Sequence, residues 1–212
     1  MLKVNEIFYS IQGESSFSGI PFVFIRLTGC NLRCAYCDTK YAYEEGVKFP
    51  IGQILKEVEK FECNYVEVTG GEPLLQEDTP LLVDSLINKG FKVLVETNGT
   101  KDISVLSDEA IIIMDIKCPS SGEVDKMDWK NLNRLKSEDE VKFVVAEKSD
   151  YDWVKGIIKE KNLTEKAKLL MSPVPEKLPP ALLADWILED KLNVRIQLQL
   201  HKILWPDVIR GK

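Results

Sequence analysis

The sequence predicts an α/β fold, a partial (β/α) barrel of about six parallel strands with an irregular N-terminal segment. Short runs rich in β-branched residues alternate with amphipathic segments along the 212 residues of the chain, as in βα units. A full barrel needs eight strands, which is more than the repeat supplies. An open doubly wound sheet is the other arrangement that this alternation allows.

The individual elements follow from the hydrophobic pattern, taken in order along the chain. Eight short runs rich in β-branched and aromatic residues are predicted as strands. The first two have no helical pattern between them, so their connection is expected to be irregular. Four amphipathic segments are predicted as helices, and the second of them ends before Gly90. The strands are 4–9, 22–27, 65–68, 91–96, 111–116, 141–146, 168–171 and 194–198, and the helices include 51–61, 82–87, 154–158 and 182–187.

Composition excludes several classes of protein. Hydrophobic residues make up 44% of the chain and charged residues 29%, which excludes disordered, collagen-like and fibrous chains. The net charge of −6 does not suit binding to duplex nucleic acid, which depends on positive charge, so no nucleic-acid partner is expected. The length is that of one domain, which we expect to span residues 1–212.

The hydropathy pattern indicates in which cellular compartment the protein is expected. No apolar run approaches the roughly 18 residues of a membrane-spanning helix, so no membrane partner is expected. Residues 1–9 lack a signal-peptide pattern, and we expect a cytoplasmic protein. Five cysteines are present, three of them within eight residues. In a reducing compartment such a cluster indicates a metal site before a disulfide.

Polar and glycine-containing segments directly follow five of the predicted strands. In parallel α/β folds, ligands collect at the carboxyl ends of the strands. We therefore expect these five segments to form a single site. They are residues 29–39, 69–73, 97–100, 117–122 and 172–175.

The cysteine cluster carries the clearest chemical signal. Cys30, Cys34 and Cys37 have the spacing C-x3-C-x2-C, and three thiolates on one loop hold three irons of a cubane cluster. The fourth iron then stays open, as a catalytic metal centre requires. Two alternatives remain at this point. One is a structural zinc site completed by His201, Cys63 or Cys118, and the other is an electron-transfer cluster with a distant fourth cysteine.

A second motif, Thr-Gly-Gly-Glu-Pro at residues 69–73, follows a predicted strand. Together with the cysteine spacing it resembles the radical S-adenosylmethionine (SAM) enzymes. The resemblance implies a [4Fe-4S] cluster whose open iron is chelated by SAM, with the glycine segment along the methionine part of SAM. Glycine suits such a place because it lets the backbone approach a ligand closely.

Further motifs narrow the resemblance within that superfamily. They are Ile-Gln-Gly-Glu at 11–14, Arg26, Cys-Asp-Thr at 37–39 and Gln-Leu-His-Lys-Ile-Leu-Trp-Pro at 199–206. With the short length, they resemble the 7-carboxy-7-deazaguanine synthases. The resemblance implies radical ring contraction of 6-carboxy-5,6,7,8-tetrahydropterin with loss of ammonia, in 7-deazapurine (queuosine-type) biosynthesis. It also implies Mg²⁺, a homodimer and a flavodoxin or ferredoxin as reductant.

The resemblance assigns roles residue by residue, with no catalytic group beyond cluster and SAM. Thr39 is the expected magnesium ligand, completed by water and substrate oxygens. Arg26 is expected to bind the substrate carboxylate in bidentate fashion, and Glu14 and Glu96 to accept from the amino-pyrimidine edge. Residues 199–212 are expected to close the pocket. Further expected substrate contacts are Ile11, Gln12, Gly13, Thr69, His201 and Pro206, and expected SAM contacts are Tyr36, Asp38, Gly70, Gly71, Glu72, Lys117, Cys118, Pro119, Ser172, Pro173, Val174 and Pro175.

Two other functions remain compatible with parts of this pattern. A small radical SAM activase, which abstracts hydrogen from a glycyl-radical partner protein, shares the short chain and the cysteine spacing. The Gln-Gly-Glu segment and the histidine-containing tail count against it. The other function is a non-enzymatic zinc or iron–sulfur binding module, which metal analysis distinguishes.

Overall fold

The architecture is taken from a computed structural model, which describes residues 1–208, 210 and 211. Over these residues nine strands form one sheet. The strands are β1 (Leu2–Ile11), β2 (Pro21–Leu27), β3 (Val47–Phe49), β4 (Tyr65–Gly70), β5 (Lys92–Thr97), β6 (Ile111–Ile116), β7 (Glu140–Val145), β8 (Lys168–Pro173) and β9 (Arg195–Ile196). The α-helices are α1 (Ile51–Glu59), α2 (Thr79–Asn88), α3 (Lys148–Glu160), α4 (Pro180–Glu189) and α5 (Leu200–Leu204).

The parallel core of the sheet confirms the predicted fold class. The spatial order is β3-β1-β2-β4-β5-β6-β7-β8-β9, and neighbours from β2 onward are parallel. Strand β1 pairs antiparallel with β2 through an irregular connection, as expected, and β3 extends this N-terminal edge. β3 and β9 stand at opposite ends of the order, so the sheet is an open, partial barrel.

The helices cover one face of the sheet because their apolar stripes bury against it. Ile54 and Val58 of α1 are fully buried, as predicted from their spacing. Helix α2 ends at Asn88, and Gly90 follows it with a φ of +88° that suits glycine. In β4, Val66 and Val68 join this core. Alternation along the strand sends the side chains between them to the other face, and it is on that face that the polar cavity lies.

Two segments differ from expectation. The strand expected over 194–198 is only Arg195–Ile196, and the following residues form helix α5, which the sequence did not predict. The connection from β6 to β7 contains three short 3₁₀ helices, Pro119–Ser121, Val124–Lys126 and Trp129–Asn133. Residues 209 and 212 of the expected pocket-closing tail lie outside the described residues. Among the helices that the structure describes, none has the length and apolar character needed to cross a membrane.

Candidate functional site

A cavity of about 630 Å³ opens at the carboxyl ends of the parallel strands. All five polar segments that follow strands contribute to it, as their positions predicted. Most of the expected site residues line it. They are Ile11, Gln12, Gly13, Glu14, Arg26, Cys30, Cys34, Tyr36, Cys37, Asp38, Thr39, Thr69, Gly70, Gly71, Glu96, Lys117, Ser172, Pro173, Val174, Pro175 and His201.

Four expected contact residues lie outside the lining: Glu72, Cys118, Pro119 and Pro206. Cys118 is fully buried in the hydrophobic core, whereas Pro119 and Pro206 are exposed. Glu72 is fully buried, and its carboxylate accepts hydrogen bonds from the backbone of Leu74 at 2.9 Å and from the loop that follows β5. Burial raises the pKa of Glu72 despite these donors. In this structure Glu72 links the segment that follows β4 to the loop that follows β5, and it does not line the cavity itself.

The three clustered cysteines lie together at one end of the cavity. Each is half-buried, and the Cys30 thiol accepts from the backbone N–H of Leu32 at 3.4 Å. Burial raises the pKa of Cys30 above its usual value and that of Cys34 to about 11. A metal that binds here must therefore displace these protons.

The donor set fits a cubane cluster better than a single ion. Within the described part of the chain, no three Cys, His, Asp or Glu side chains are arranged to hold one metal ion. The cysteines proposed to complete a zinc site do not reach the cavity: Cys118 is in the core, and Cys63 precedes β4 and donates to the Pro21 carbonyl at 3.3 Å. Three thiols that share one cavity without converging on a point suit the corners of a larger cluster.

The glycine segment lies against the cysteine loop. The backbone N–H of Glu72 donates to the Gly29 carbonyl at 2.7 Å. A Cβ added to Gly71 would overlap that carbonyl oxygen and lie 2.6 Å from Cys30 Cβ. Nearby, Lys117 Nζ is 2.8 Å from Asp115 Oδ2, while Asp115 Oδ1 is buried without a hydrogen-bond partner in the described chain. Gly71 thus lets the glycine segment pack against the cysteine loop, and the free acceptor of Asp115 fits a polar ligand such as SAM.

Thr39 and Asp38 present two oxygens at the rim of the cavity. Thr39 Oγ1 donates to Asp38 Oδ1 at 3.0 Å, and Asp38 Oδ2 is 2.7 Å from Lys202 Nζ. Mg²⁺ binds oxygens at roughly 2.1 Å in octahedral geometry, so that adjacent ligands lie about 3 Å apart. Because Asp38 is already paired with Lys202, the Thr39 hydroxyl is the oxygen of this pair that fits a Mg²⁺ site.

Arg26 lies near the end of β2 with its side chain in the cavity wall. Within the described chain its guanidinium makes one hydrogen bond, from Nε to Glu6 Oε1 at 2.8 Å. The rings of Phe8 and Tyr41 are 5.7 and 5.9 Å from the guanidinium carbon. Burial opposes the charge, yet Tyr41 and Glu6 raise the pKa of Arg26 above its usual value. The two terminal nitrogens remain free to bind a carboxylate in bidentate fashion.

A network of charged side chains forms the opposite wall. Lys142 Nζ lies 2.7 Å from Glu14 Oε2, contacts Glu96 Oε1 directly and is 3.6 Å from Asp115 Oδ2. Glu96 also accepts from Thr69 Oγ1 at 3.2 Å. Burial alone would raise the pKa of Glu14, but Lys142 outweighs it and lowers that pKa. Glu14 and Glu96 therefore meet at one cation, although they lie far apart in sequence.

Glu67, in the middle of β4, is a carboxyl group whose surroundings differ from those of Glu14. It is 4% exposed and accepts a hydrogen bond from Gln12 Nε2. Burial, with repulsion from Glu96, raises the pKa of Glu67 to about 8. Near neutral pH this group is therefore mostly protonated, close to Glu14, whose pKa Lys142 lowers.

The tail closes over the loop that follows β1. The backbone N–H of Leu200 donates to the Gly13 carbonyl at 3.0 Å, and Gln199 Nε2 donates to Glu14 Oε1 at 2.7 Å. His201 packs so tightly on Gly13 that an added Cβ there would overlap the imidazole. Residues 199–202 thus bind to both the N-terminal loop and Asp38.

Comparison with known proteins identifies the family. Residues 24–115 match the Radical SAM superfamily. A 7-carboxy-7-deazaguanine synthase of Chlorobaculum tepidum is 45% identical over 213 residues, which covers 99% of this chain and 97% of the relative. One of Koribacter versatilis is 39% identical over 99% of this chain and 100% of the relative. The chain belongs to the 7-carboxy-7-deazaguanine synthase family.

A solved structure supports the fold of this synthase-family chain. The crystal structure of QueE from Escherichia coli aligns with a TM-score of 0.79 and 23% sequence identity, over 94% of each chain. The likeness confirms the partial-barrel architecture predicted from the alternation of strands and helices.

Three buried charges that line the cavity of this synthase-family chain were not predicted from the sequence: Glu67, Asp115 and Lys142. Each stands inside a strand whose other residues are mostly apolar. A charged residue is rarely buried unless paired. Charges in the middle of buried strands are therefore the signal that indicates a polar cavity on the inner face of the sheet.

Substituting Gly71 tests the contact between the glycine segment and the cysteine loop. In Gly71→Ala the new methyl overlaps the Gly29 carbonyl and crowds Cys30, so the loop must shift and stability falls by about 1–3 kcal/mol. We expect less iron and sulfide per chain after anaerobic reconstitution. Gly156→Ala is the control, because Gly156 lies in α3 with no atom within 4 Å of the added Cβ. Full cluster content in Gly71→Ala would contradict the prediction.

Glu67 makes stability depend on pH. Its pKa of about 8 exceeds the roughly 4.3 of an unfolded glutamate, so between these values the folded state holds a proton that the unfolded state has lost. Stability therefore falls as pH rises through this window. The substituted side chain in Glu67→Gln does not titrate. We therefore expect the free energy of unfolding of Glu67→Gln, relative to that of the wild type, to rise by about 1 kcal/mol per pH unit across this window. Denaturant unfolding at several pH values measures this, and parallel profiles for the two proteins would contradict it.

Proposed function

We propose that this protein converts 6-carboxy-5,6,7,8-tetrahydropterin to 7-carboxy-7-deazaguanine by radical ring contraction with loss of ammonia. One observation carries the proposal. A single cavity is lined by three clustered thiols, by an arginine with two free terminal nitrogens and by two glutamates paired with Lys142. Such a cavity can hold a radical source and a carboxylated pterin side by side.

The cysteine end holds the cofactors in this proposal. Cys30, Cys34 and Cys37 bind a [4Fe-4S] cluster, which together with SAM supplies a 5′-deoxyadenosyl radical. The backbone at Gly71 and the free oxygen of Asp115 contact SAM. The other SAM contacts are Tyr36, Asp38, Gly70, Lys117 and residues 172–175, all of which line the cavity.

The other end binds and orients the substrate. Arg26 donates two parallel hydrogen bonds to the substrate carboxylate, which fixes the carbon that bears it. Glu14 and Glu96 accept from the amino group and the ring N–H of the pyrimidine edge, since ionised carboxylates are pure acceptors. His201 and the rest of the tail cover the bound ring and exclude water. Ile11, Gln12, Gly13 and Thr69 complete this wall.

The rim of the cavity is where we propose Mg²⁺ binds. Thr39 supplies its hydroxyl oxygen, and substrate oxygens and water complete the octahedron. A cation here stabilises the negative charge of a carboxylated substrate and adds orientation.

The remaining features of the proposal concern the whole molecule. We propose that residues 1–212 act as one domain whose tail, from residue 199 onward, closes the pocket. We further propose a cytoplasmic homodimer, reduced by a flavodoxin or a ferredoxin.

An anaerobic assay tests the proposed function. Iron-reconstituted protein is mixed with SAM, a strong reductant and 6-carboxytetrahydropterin, with and without Mg²⁺, and the products are read by mass spectrometry. We expect SAM-dependent 7-carboxy-7-deazaguanine, formed faster with Mg²⁺. Cleavage of SAM to 5′-deoxyadenosine without this product would overturn the pterin substrate and favour an activase. Neither product from protein with a verified four-iron cluster would overturn the catalytic assignment.

A further inference from the structure

Lys142 is a buried lysine at the centre of the cavity wall. It lies in β7 and its side chain is 6% exposed. Its ammonium contacts Glu14 at 2.7 Å, Glu96 directly and Asp115 at 3.6 Å. Burial works against its charge, yet Glu14 and Glu96 outweigh this and raise its pKa well above the usual value. Lys142 is thus a fixed cation shared by carboxylates.

The three carboxylates come from separate elements. Glu14 is in the loop after β1, Glu96 is near the end of β5 and Asp115 is near the end of β6. Among the residues that the structure describes, Lys142 is the one cation in ion-pair contact with both Glu14 and Glu96. The loop after β1 and the end of β5 are therefore held in register by one side chain.

The remaining contacts of the two glutamates are neutral. Glu14 accepts from Gln197 Nε2 at 3.1 Å and from Gln199 Nε2 at 2.7 Å, and Glu96 accepts from Thr69 Oγ1. Neutral donors orient a carboxylate, but a nearby cation is what offsets the cost of ionising two buried carboxylates side by side. If Lys142 were absent, one of them would take up a proton and become a donor.

Protonation of Glu14 or Glu96 would weaken recognition of the pyrimidine edge of the substrate. An amino-pyrimidine edge presents N–H donors, and these need acceptors. A protonated Glu14 or Glu96 would place a donor against a donor inside a closed cavity, which costs far more than the loss of one hydrogen bond.

We propose that Lys142 is the positioning residue of the substrate pocket, which keeps Glu14 and Glu96 ionised and aimed together at the pyrimidine edge of the pterin. The inference rests on the proposed function and deepens it. Lys142 lines the same cavity, and in this proposal it acts through the two glutamates that it pairs with. Asp115 keeps its closer partner Lys117 at 2.8 Å, so the SAM side of the cavity keeps its own ion pair.

The test is binding of 6-carboxypterin, an aromatic analogue of the substrate, to the iron-reconstituted, SAM-loaded enzyme. Fluorescence titration of Lys142→Met should show affinity about 10- to 100-fold weaker than that of the wild type, as for removal of one partner of a buried charge pair. SAM affinity should change less than about threefold. Lys136→Met is the matched control, because Lys136 also faces a buried acid, Asp139 at 3.9 Å, outside the cavity.

A double variant separates positioning from general structural support. Glu96→Gln alone should weaken pterin binding about tenfold. Lys142→Met/Glu96→Gln should bind within about threefold of Lys142→Met, because the lysine acts through the residue already changed. A further tenfold loss in the double variant would overturn the proposal. If Lys142→Met does not fold, the double variant removes a pair and leaves no added net charge; it should bind within about threefold of Glu96→Gln, and binding tenfold or more weaker than that of Glu96→Gln would overturn the proposal.

Two binding results distinguish the role of Lys142 from the identity of the substrate. Equal affinity of wild type and Lys142→Met for 6-carboxypterin would overturn the role of Lys142 alone. A wild type that does not bind 6-carboxypterin would remove the pterin substrate, and this inference with it.

Discussion

Cys34→Ala is expected to abolish both SAM cleavage and carboxydeazaguanine formation. Cys34 is one of three thiols that share the cavity, and a cubane held by three cysteines has no spare ligand in this loop. Loss of one thiolate leaves a second iron of the cubane without a protein ligand, and such clusters lose iron. Iron and sulfide content, with anaerobic SAM cleavage measured by mass spectrometry, tests this.

A matched control distinguishes the cluster from cysteine loss in general. Cys63 is also half-buried, but it precedes β4 and its thiol donates to the carbonyl of Pro21 at 3.3 Å. Cys63→Ala should keep full iron content and full activity. An active Cys34→Ala enzyme, or an inactive Cys63→Ala enzyme that folds normally, would contradict the assignment of the three-cysteine loop.

Arg26→Met is the second variant with a large expected effect. Arg26 offers two unused guanidinium nitrogens to the cavity while Nε is held by Glu6 at 2.8 Å. Methionine keeps much of the apolar contact with Phe8 but provides no partner for a carboxylate. We expect kcat/KM for the pterin to fall about 100-fold or more. Cleavage of SAM in the absence of pterin should be largely retained, because the cysteine end of the cavity is unchanged.

The control for Arg26 is an arginine with comparable ion pairs elsewhere. Arg134 pairs with Asp102 at 3.1 Å and Asp128 at 3.3 Å and does not line the cavity. Arg134→Met should leave kcat/KM within about threefold of the wild type. Arg26→Lys keeps the charge but loses the fork, and it should recover only part of the activity. A wild-type kcat/KM in Arg26→Met would exclude carboxylate binding by this residue.

Much of this architecture could be predicted because the longer elements are periodic. The strands of the parallel core and helices such as α1 show their spacing in sequence, and polar segments after strands predicted one shared cavity. Short elements escaped prediction. Strand β3 has three residues and helix α5 has five, too few for a period to be visible.

The buried charged residues around Lys142 were not predicted, for a different reason. Lys142, Glu67 and Asp115 are not part of a contiguous motif, and their partners lie on other elements, among them the loop after β1. Sequence spacing shows which face of a strand a residue is on, but not which neighbour that face meets. The role of Glu72 was likewise hidden, because its donors come from the loop after β5.

Helix α5 has an implication for how ligands reach the cavity. It buries none of its own residues, with Ile203 60% exposed, and contacts the rest through polar bonds such as Lys202 to Asp38 at 2.7 Å. Segments held by few apolar contacts open locally at low free-energy cost. We therefore expect faster amide hydrogen exchange in α5 than in β4 or β5, and α5 is the segment whose local opening exposes the cavity. Through it a pterin can enter and a product leave while the sheet and the cysteine loop stay folded.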